Sequence, residues 1–300
     1  MFSLGPGVAY SVVAAFVWGT YIFVLKRYFR GYPGTVLTAG INAAALAWYL
    51  PLVTLRSRAL RTAPDPASLG AAALADPFGT AVLVATVLST AAAFLAFLRA
   101  IDVGEVSYVA PISKVVPVFV LPIEVLFLHQ RLTPLQVAGV AVATLAVYVA
   151  NYRSGPLLAP LRKAASSRAA QLALASAACY AISDVGKRVV LQELSVPLSL
   201  WVPTALGGVL LVVLPLAARE WVPLRGDLPK FVLAGAGVAL GEHVTALAFS
   251  AAPASIASPI INTQAVVAVV LGGLVLREEA FGTRLVAAGL AVAGVGLIAV

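Results

Sequence analysis

Apolar residues fall along this chain in ten blocks, at approximately 7 to 29, 34 to 55, 77 to 99, 104 to 128, 133 to 151, 169 to 190, 197 to 217, 230 to 250, 253 to 276 and 281 to 300, each bounded by Gly, Pro or charge. A helix needs about 20 apolar residues to cross the hydrocarbon core, so each block has a spanning length. The alternating strands of roughly ten residues that build a membrane barrel are absent. Lipid offers backbone groups no partners, and each block is therefore expected to be a helix. The pattern predicts an all-α integral membrane protein of about ten transmembrane helices. The opening MFSLGPG carries no basic region, so the first block reads as a helix and not as a cleaved signal.

The longest connections are 56 to 76 (RSRALRTAPDPASLGAAALAD) and 152 to 168 (YRSGPLLAPLRKAASSR), and the second divides the chain into residues 1–151 and 169–300. The text around the fourth and ninth blocks recurs: VSYVAPISKVVPVFVLPIEVLFLHQRL against ASIASPIINTQAVVAVVLGGLVLREEA. A shift of 148 places Pro111 on Pro259 and Lys114 on Asn262. The first and sixth blocks match loosely, both ending in a Lys-Arg pair, Lys26-Arg27 and Lys187-Arg188. Five helices in each half is an odd number, so the second half enters the membrane from the opposite side. The result is an inverted-topology repeat, an arrangement found chiefly in transporters.

Composition agrees: 61% hydrophobic and 11% charged residues, with a mean hydropathy of +1.00, is far from the quarter or so of charged residues in soluble domains. The net charge of +8 sits mostly between apolar blocks, where it meets anionic headgroups, and a nucleic-acid partner is not expected. The only cysteine, Cys179, lies inside an apolar block and offers neither a disulfide nor a thiolate metal site.

The segments AAFVWGTYIFVLKR, GEVSYVAPISKVVPVFVLPIEVLFLHQRLTPLQVAGV and APASIASPIINTQAVVAVVLGGLVLREEAFGTRLVAAGL resemble the drug/metabolite transporter superfamily, EamA-like branch, in order, spacing and recurrence. Two departures stand out: Gln130 where the family's repeat usually ends in an acidic residue, and Tyr180-Ala181 in the second repeat where the first has Trp18-Gly19. The resemblance implies two five-helix repeats (1–151 and 169–300) and a multi-pass protein of the plasma (inner) membrane. It further implies a secondary carrier, commonly an exporter or exchanger of amino acids, nucleotide sugars, phosphorylated sugars or other metabolites. The chain has no GxxxxGK[ST] phosphate cradle. Uphill transport would therefore be coupled to a proton or a counter-substrate, and no cofactor or metal is expected.

Ionisable groups at membrane depth are costly and face a cavity or a partner. Lys114 lies between Pro111 and Pro117 near the middle of the fourth block. Prolines remove backbone donors and free carbonyls, and a broken helix with a cation at mid-depth is an anion receptor. With Pro259 as the matching helix break, the expected site is the interface of the fourth and ninth helices, where Lys114, Asn262 and Gln264 meet the solute. The alternative is that Lys114 is permanently paired and only locks helices. Glu242 and His243 are adjacent and point about 100° apart, so one of them can face a given cavity. Glu242 is preferred, as partner of Lys114 or proton carrier, with His243 as a hydrogen-bonded packing residue. Asp184 and Lys187 share a face of the sixth helix, as an i, i+3 pair or a relay. Trp18, Tyr21 and Tyr108 are candidates for an aromatic wall of the substrate site. Glu124, about 15 Å along its helix from Lys114 at 1.5 Å per residue, is expected to reach for the nearer interface. Gly289, Ala293 and Gly296 read as a helix-packing stripe.

The best-supported function is alternating-access transport of a small anionic or zwitterionic solute, such as an amino acid. One alternative is a cationic multidrug exporter, in which a free carboxylate outweighs Lys114. Another is an intramembrane enzyme acting on lipid-linked substrates, for which the chain lacks HExxH and DDxxD-like motifs. Orientation receives two opposed expectations. The positive-inside count, with Arg56, Arg58, Arg61, Arg131, Lys187 and Arg188 on the N-terminal side against 13 basic residues opposite, puts both termini outside. The family resemblance puts both in the cytoplasm.

Overall fold

The computed structural model describes residues 5–29, 31–59, 76–103, 113–151, 167–224, 226–276 and 281–299. Tyr108 and Pro111 lie outside these residues, as do most of the two long connections. The described residues contain eleven α-helices and no strand. In chain order these are α1 (Pro6–Tyr28), α2 (Gly34–Ala59), α3 (Pro77–Val103), α4 (Val116–Phe127), α5 (Pro134–Asn151), α6 (Arg168–Arg188), α7 (Leu198–Ala217), α8 (Leu228–Ala251), α9 (Ala254–Asn262), α10 (Gln264–Leu276) and α11 (Phe281–Ala299). A π turn, Val189–Glu193, continues α6. Proline in the first turn of α1, α4 and α8 marks the start of each, where its missing N–H costs nothing.

Among the described residues, four helices are long and apolar enough to cross a membrane, over Pro6–Leu25, Pro77–Ala100, Leu198–Ala217 and Leu228–Ala251. The outer surface is oily, with Phe16, Phe78, Leu126, Phe127, Leu211, Leu233 and Val292 all exposed. Glu124, Lys187, Arg188, Asn262 and several Ser and Thr residues are buried instead. This distribution suits lipid as the outer solvent, since polar side chains turned inward find one another.

Contacts between the halves come in exchanged pairs. Helix α1 packs on α8, and its counterpart α6 packs on α3. Helix α1 also meets α9 and α10, as α6 meets α4, while α2 packs on α7 and α5 on α11. Swapping the halves maps this set onto itself. Small residues permit the closest approaches: a Cβ on Gly19 would stand 2.7 Å from the Gln264 carbonyl oxygen, and one on Gly139 would stand 2.8 Å from the Ile298 amide nitrogen. The expected packing stripe on the last helix is displaced. Gly289 and Gly296 have no neighbour within 4 Å of a built Cβ, whereas Gly294 lies against the Ala143 backbone, because that is the face α11 turns to α5.

The ninth block is two helices with a joint at Thr263, one turn beyond Pro259, which itself lies inside α9. The Thr263 hydroxyl and amide both donate to the Ile260 carbonyl, and Asn262 Nδ2 donates to the Ser258 carbonyl. Side chains thus take over carbonyls that the helical ladder would use, which tightens and ends the helix. In the other half, α4 begins only at Val116, after Lys114 and Val115 leave the helical path. The two interruptions fall at matching places, Val115 and Thr263 being related by the shift of 148.

Candidate functional site

The joint before α4 puts Lys114 at a turn, partly buried, with Pro117 in the first turn of the helix that follows. Among the described residues, Asp184 of α6 is a charged group close enough to act on it. Asp184 also feels Lys187 on its own helix and Glu242 on α8, and its carboxylate accepts a 2.6 Å hydrogen bond from the Ser258 hydroxyl of α9. Asn262 stands one turn from Ser258 and donates to both its carbonyl and its hydroxyl. Four elements, namely the turn at Lys114, α6, α8 and α9, therefore bring two cations, two carboxylates, a hydroxyl and an amide into one electrostatic neighbourhood. Low-dielectric surroundings make such charges interact far more strongly than they would in water.

Aromatic residues line one flank. Trp18 and Tyr21 of α1 meet edge to face, with ring centroids 5.6 Å apart, and Trp18 Nε1 donates to the Thr245 hydroxyl at 2.9 Å. The indole lies over Gly241, where a Cβ would come 2.9 Å from a ring carbon, so the glycine makes room for the ring beside Glu242. Tyr180 of α6 is close enough to interact with Tyr21, Asp184 and Glu242. His243 turns away from this group: its Nδ1 lies 2.9 Å from the Tyr49 hydroxyl of α2. Gln264 begins α10, next to the joint.

A second polar cluster lies toward the end of the bundle on the N-terminal side. Glu124 is fully buried at 0% exposure, contrary to the expectation that it reaches for the interface. Its carboxylate accepts from the Ala254 and Ser255 amides at 2.7 and 2.8 Å and from the Ser255 hydroxyl, which caps the N-terminus of α9. Capping satisfies orphan amides, and the positive end of the helix favours the negative charge, which is why burial wins over solvation. Arg188, also buried, approaches Glu124 Oε1 with Nε at 3.5 Å and Glu193 Oε1 with Nη2 at 3.3 Å. Sequence reasoning passed over Ser258, Ser255 and this ion pair. A trace was legible in Ser255, Ser258 and Asn262, whose spacing puts them on one face of α9.

An all-helical bundle with lipid-facing apolar surfaces, duplicated contacts and charged side chains gathered around two helix joints defines a helical membrane protein of transporter type. The chain belongs to the EamA-like transporter family, whose model matches residues 5–152 and 167–300. Members of this family are membrane transporters of the drug/metabolite transporter superfamily. No match is found among curated proteins. A solved structure called only "Crystal structure of protein" superposes with a TM-score of 0.74 at 16% identity, covering 97% of this chain and 95% of that one. That identity establishes a shared fold and nothing finer.

Proposed function

We propose that this protein is a secondary carrier that moves a small anionic or zwitterionic metabolite, such as an amino acid, across the plasma (inner) membrane as a multi-pass protein. It does so by alternating access, as an exporter or exchanger and not as an enzyme. The observation that carries the reading is the convergence of Lys114, Asp184, Glu242 and Ser258 from four elements at a broken helix. Lys114 receives the solute's carboxylate or phosphate. Asn262, Gln264 and the Trp18–Tyr21 pair surround the remainder, and Asp184 or Glu242 receives an ammonium group or a coupling proton. Residues 1–151 and 169–300 rock about this point.

A thermal-shift screen of purified protein against amino acids, sugar phosphates, nucleotide sugars and cationic drugs tests it, because a ligand that binds the native state alone stabilises it. One anionic or zwitterionic class should raise the melting temperature of the wild type and not of Lys114→Ala. In proteoliposomes, Lys114→Gln should lower flux of that solute at least about tenfold, the equivalent of one lost contact near 1.4 kcal/mol. Unchanged flux would sink the site. Two carboxylates beside Trp18, Tyr21 and Tyr180 favour a second reading, export of cationic drugs, which predicts stabilisation by cations that survives Lys114→Ala.

A further inference from the structure

The buried cluster around Glu124 has the composition of an anion-binding site whose present occupant is a side chain of the protein itself. The receiving groups are the Ala254 and Ser255 amides and the Ser255 hydroxyl at the start of nine-residue α9, with the Arg188 guanidinium alongside. Arg188 is buried, yet neither its Nε nor its Nη1 has a hydrogen-bond partner among the described residues. The 3.5 Å approach of Nε to Glu124 is an ion contact without hydrogen-bond geometry. A guanidinium offers five donors in a fork that matches a carboxylate or phosphate, and buried donors left open call for an explanation. Glu124, anchored to the α9 amides, occupies the charge position without saturating the fork. The arginine's neighbour Lys187 is buried as well, one turn from Asp184. Lys114, Lys187 and Arg188 thus form a series of cations leading from the helix joint toward the N-terminal-side end.

We infer that this cluster is a second anion site, which Glu124 fills in the present conformation and vacates when that end of the bundle opens. The vacated α9 amides and the Arg188 fork then receive the carboxylate or phosphate group of the solute on its way between Lys114 and the N-terminal-side compartment. This inference rests on the carrier reading above for its use in transport, but the existence of the site is testable without any transport.

Full-length Glu124→Ala protein empties the position and leaves the receptor intact. Its melting temperature should fall, and formate or inorganic phosphate should restore at least half of the loss, while chloride at equal ionic strength should not. Glu124→Ala combined with Arg188→Gln should lose the restoration, and adding Lys114→Gln instead should leave it unchanged. Restoration equal in chloride, or surviving Arg188→Gln, overturns the assignment. Should Glu124→Ala not fold, Glu124→Gln decides: melting equal to wild type means that no anion is required there and also overturns it. Since Lys114 is not needed for the rescue, failure of the Lys114 site and failure of this one give different patterns.

Discussion

Two arginines related by the repeat meet opposite fates at the two ends of the bundle. Arg188 closes α6 on the N-terminal side and is buried between Glu124 and Glu193. Arg27, second of the matching Lys-Arg pair, closes α1 on the other side, exposed, with its guanidinium carbon 6.0 Å from the centre of the Tyr28 ring. The difference traces to a single position. The shift of 148 that superposes the fourth and ninth blocks puts Gly272 opposite Glu124, so α10 has no carboxylate at the matching position. That end is held instead by an aromatic group, Phe29, Tyr32 and Phe231, with centroids 5.1 to 6.4 Å apart. A polar rim surrounds it, in which the Tyr32 hydroxyl donates to Asp227 and Thr35 donates to Glu220. One end is fastened by desolvated charge and the other by apolar packing under solvated contacts. A duplicated fold therefore need not have interchangeable ends, and the two are expected to respond differently to mutation, salt and pH.

The largest contrast should come from removing one member of the buried pair. Breaking a desolvated ion pair leaves a charge without compensation and typically costs about 3–5 kcal/mol. Glu124→Gln should therefore destabilise the protein far more than Arg27→Gln, whose exposed arginine has no ion pair among the described residues. Because Glu124 also caps α9, Arg188→Gln should cost less than Glu124→Gln, and the double variant less than the sum of the two. Denaturant titration of the four proteins in one detergent measures this cycle. Additive losses would mean that the pair is not coupled and that the two ends do not differ in the way argued.

The helices and their duplication were legible because each follows from local pattern: apolar length, flanking proline and the recurrence of PISK and PIIN one half-chain apart. Lys114 stood out for the same reason, as a cation flanked by prolines. The partners of these residues were not legible. Glu124 meets Ser255 across 131 residues, and nothing along α4 distinguishes a glutamate that caps a distant helix from one that reaches for the interface. The joint at Thr263 likewise depends on hydroxyl and amide side chains competing for carbonyls, a contest that hydropathy does not register. Whether His243 or Glu242 faces the charged group was bounded by helical geometry, and Tyr49 decides it by holding the imidazole.

A smaller difference should appear in the tolerance of each end to added volume. A Cβ on Gly7, on the N-terminal side, would lie 2.5 Å from Ala252 Cβ and 2.8 Å from the Ala251 carbonyl carbon and oxygen, mostly backbone that has no rotamer to adjust. One on Gly40, at the other end, would meet ring atoms of Phe231 at 2.9 Å. Overpacking of this kind costs about 1–3 kcal/mol. Gly7→Ala should fall in the upper part of that range and Gly40→Ala in the lower, since a ring can tilt and a helix backbone cannot. Melting temperatures in the reverse order would show that the aromatic end is the more rigid of the two.

The smallest effect belongs to the solvated rim, and pH separates it from everything else. The Lys230 ammonium, 2.6 Å from Asp227, and then the Tyr32 hydroxyl hold the Asp227 carboxyl below its ordinary value of 3.8. The bond to Asp227 in turn raises the Tyr32 phenol above its ordinary 10.0. A depressed carboxylate contributes stability above its unfolded value and loses it as pH falls through the folded one. A raised phenol contributes below its unfolded value and loses it as pH rises through the folded one. The Tyr32–Asp227 contact should therefore contribute a plateau of stability between about pH 4 and pH 10, closing at both ends. Subtracting the melting curve of Tyr32→Phe from that of the wild type across this range isolates it, because the variant keeps the ring packed against Phe231 and loses only the hydroxyl. The exposed Lys230–Asp227 ion pair beside that contact should weaken in 1 M salt, where the Debye length is about 3 Å, whereas the Glu124–Arg188 cycle should hardly respond. A difference of zero from acid to alkali would place the contribution of Tyr32 in its ring alone and leave its bond to Asp227 without a share in fastening the far end.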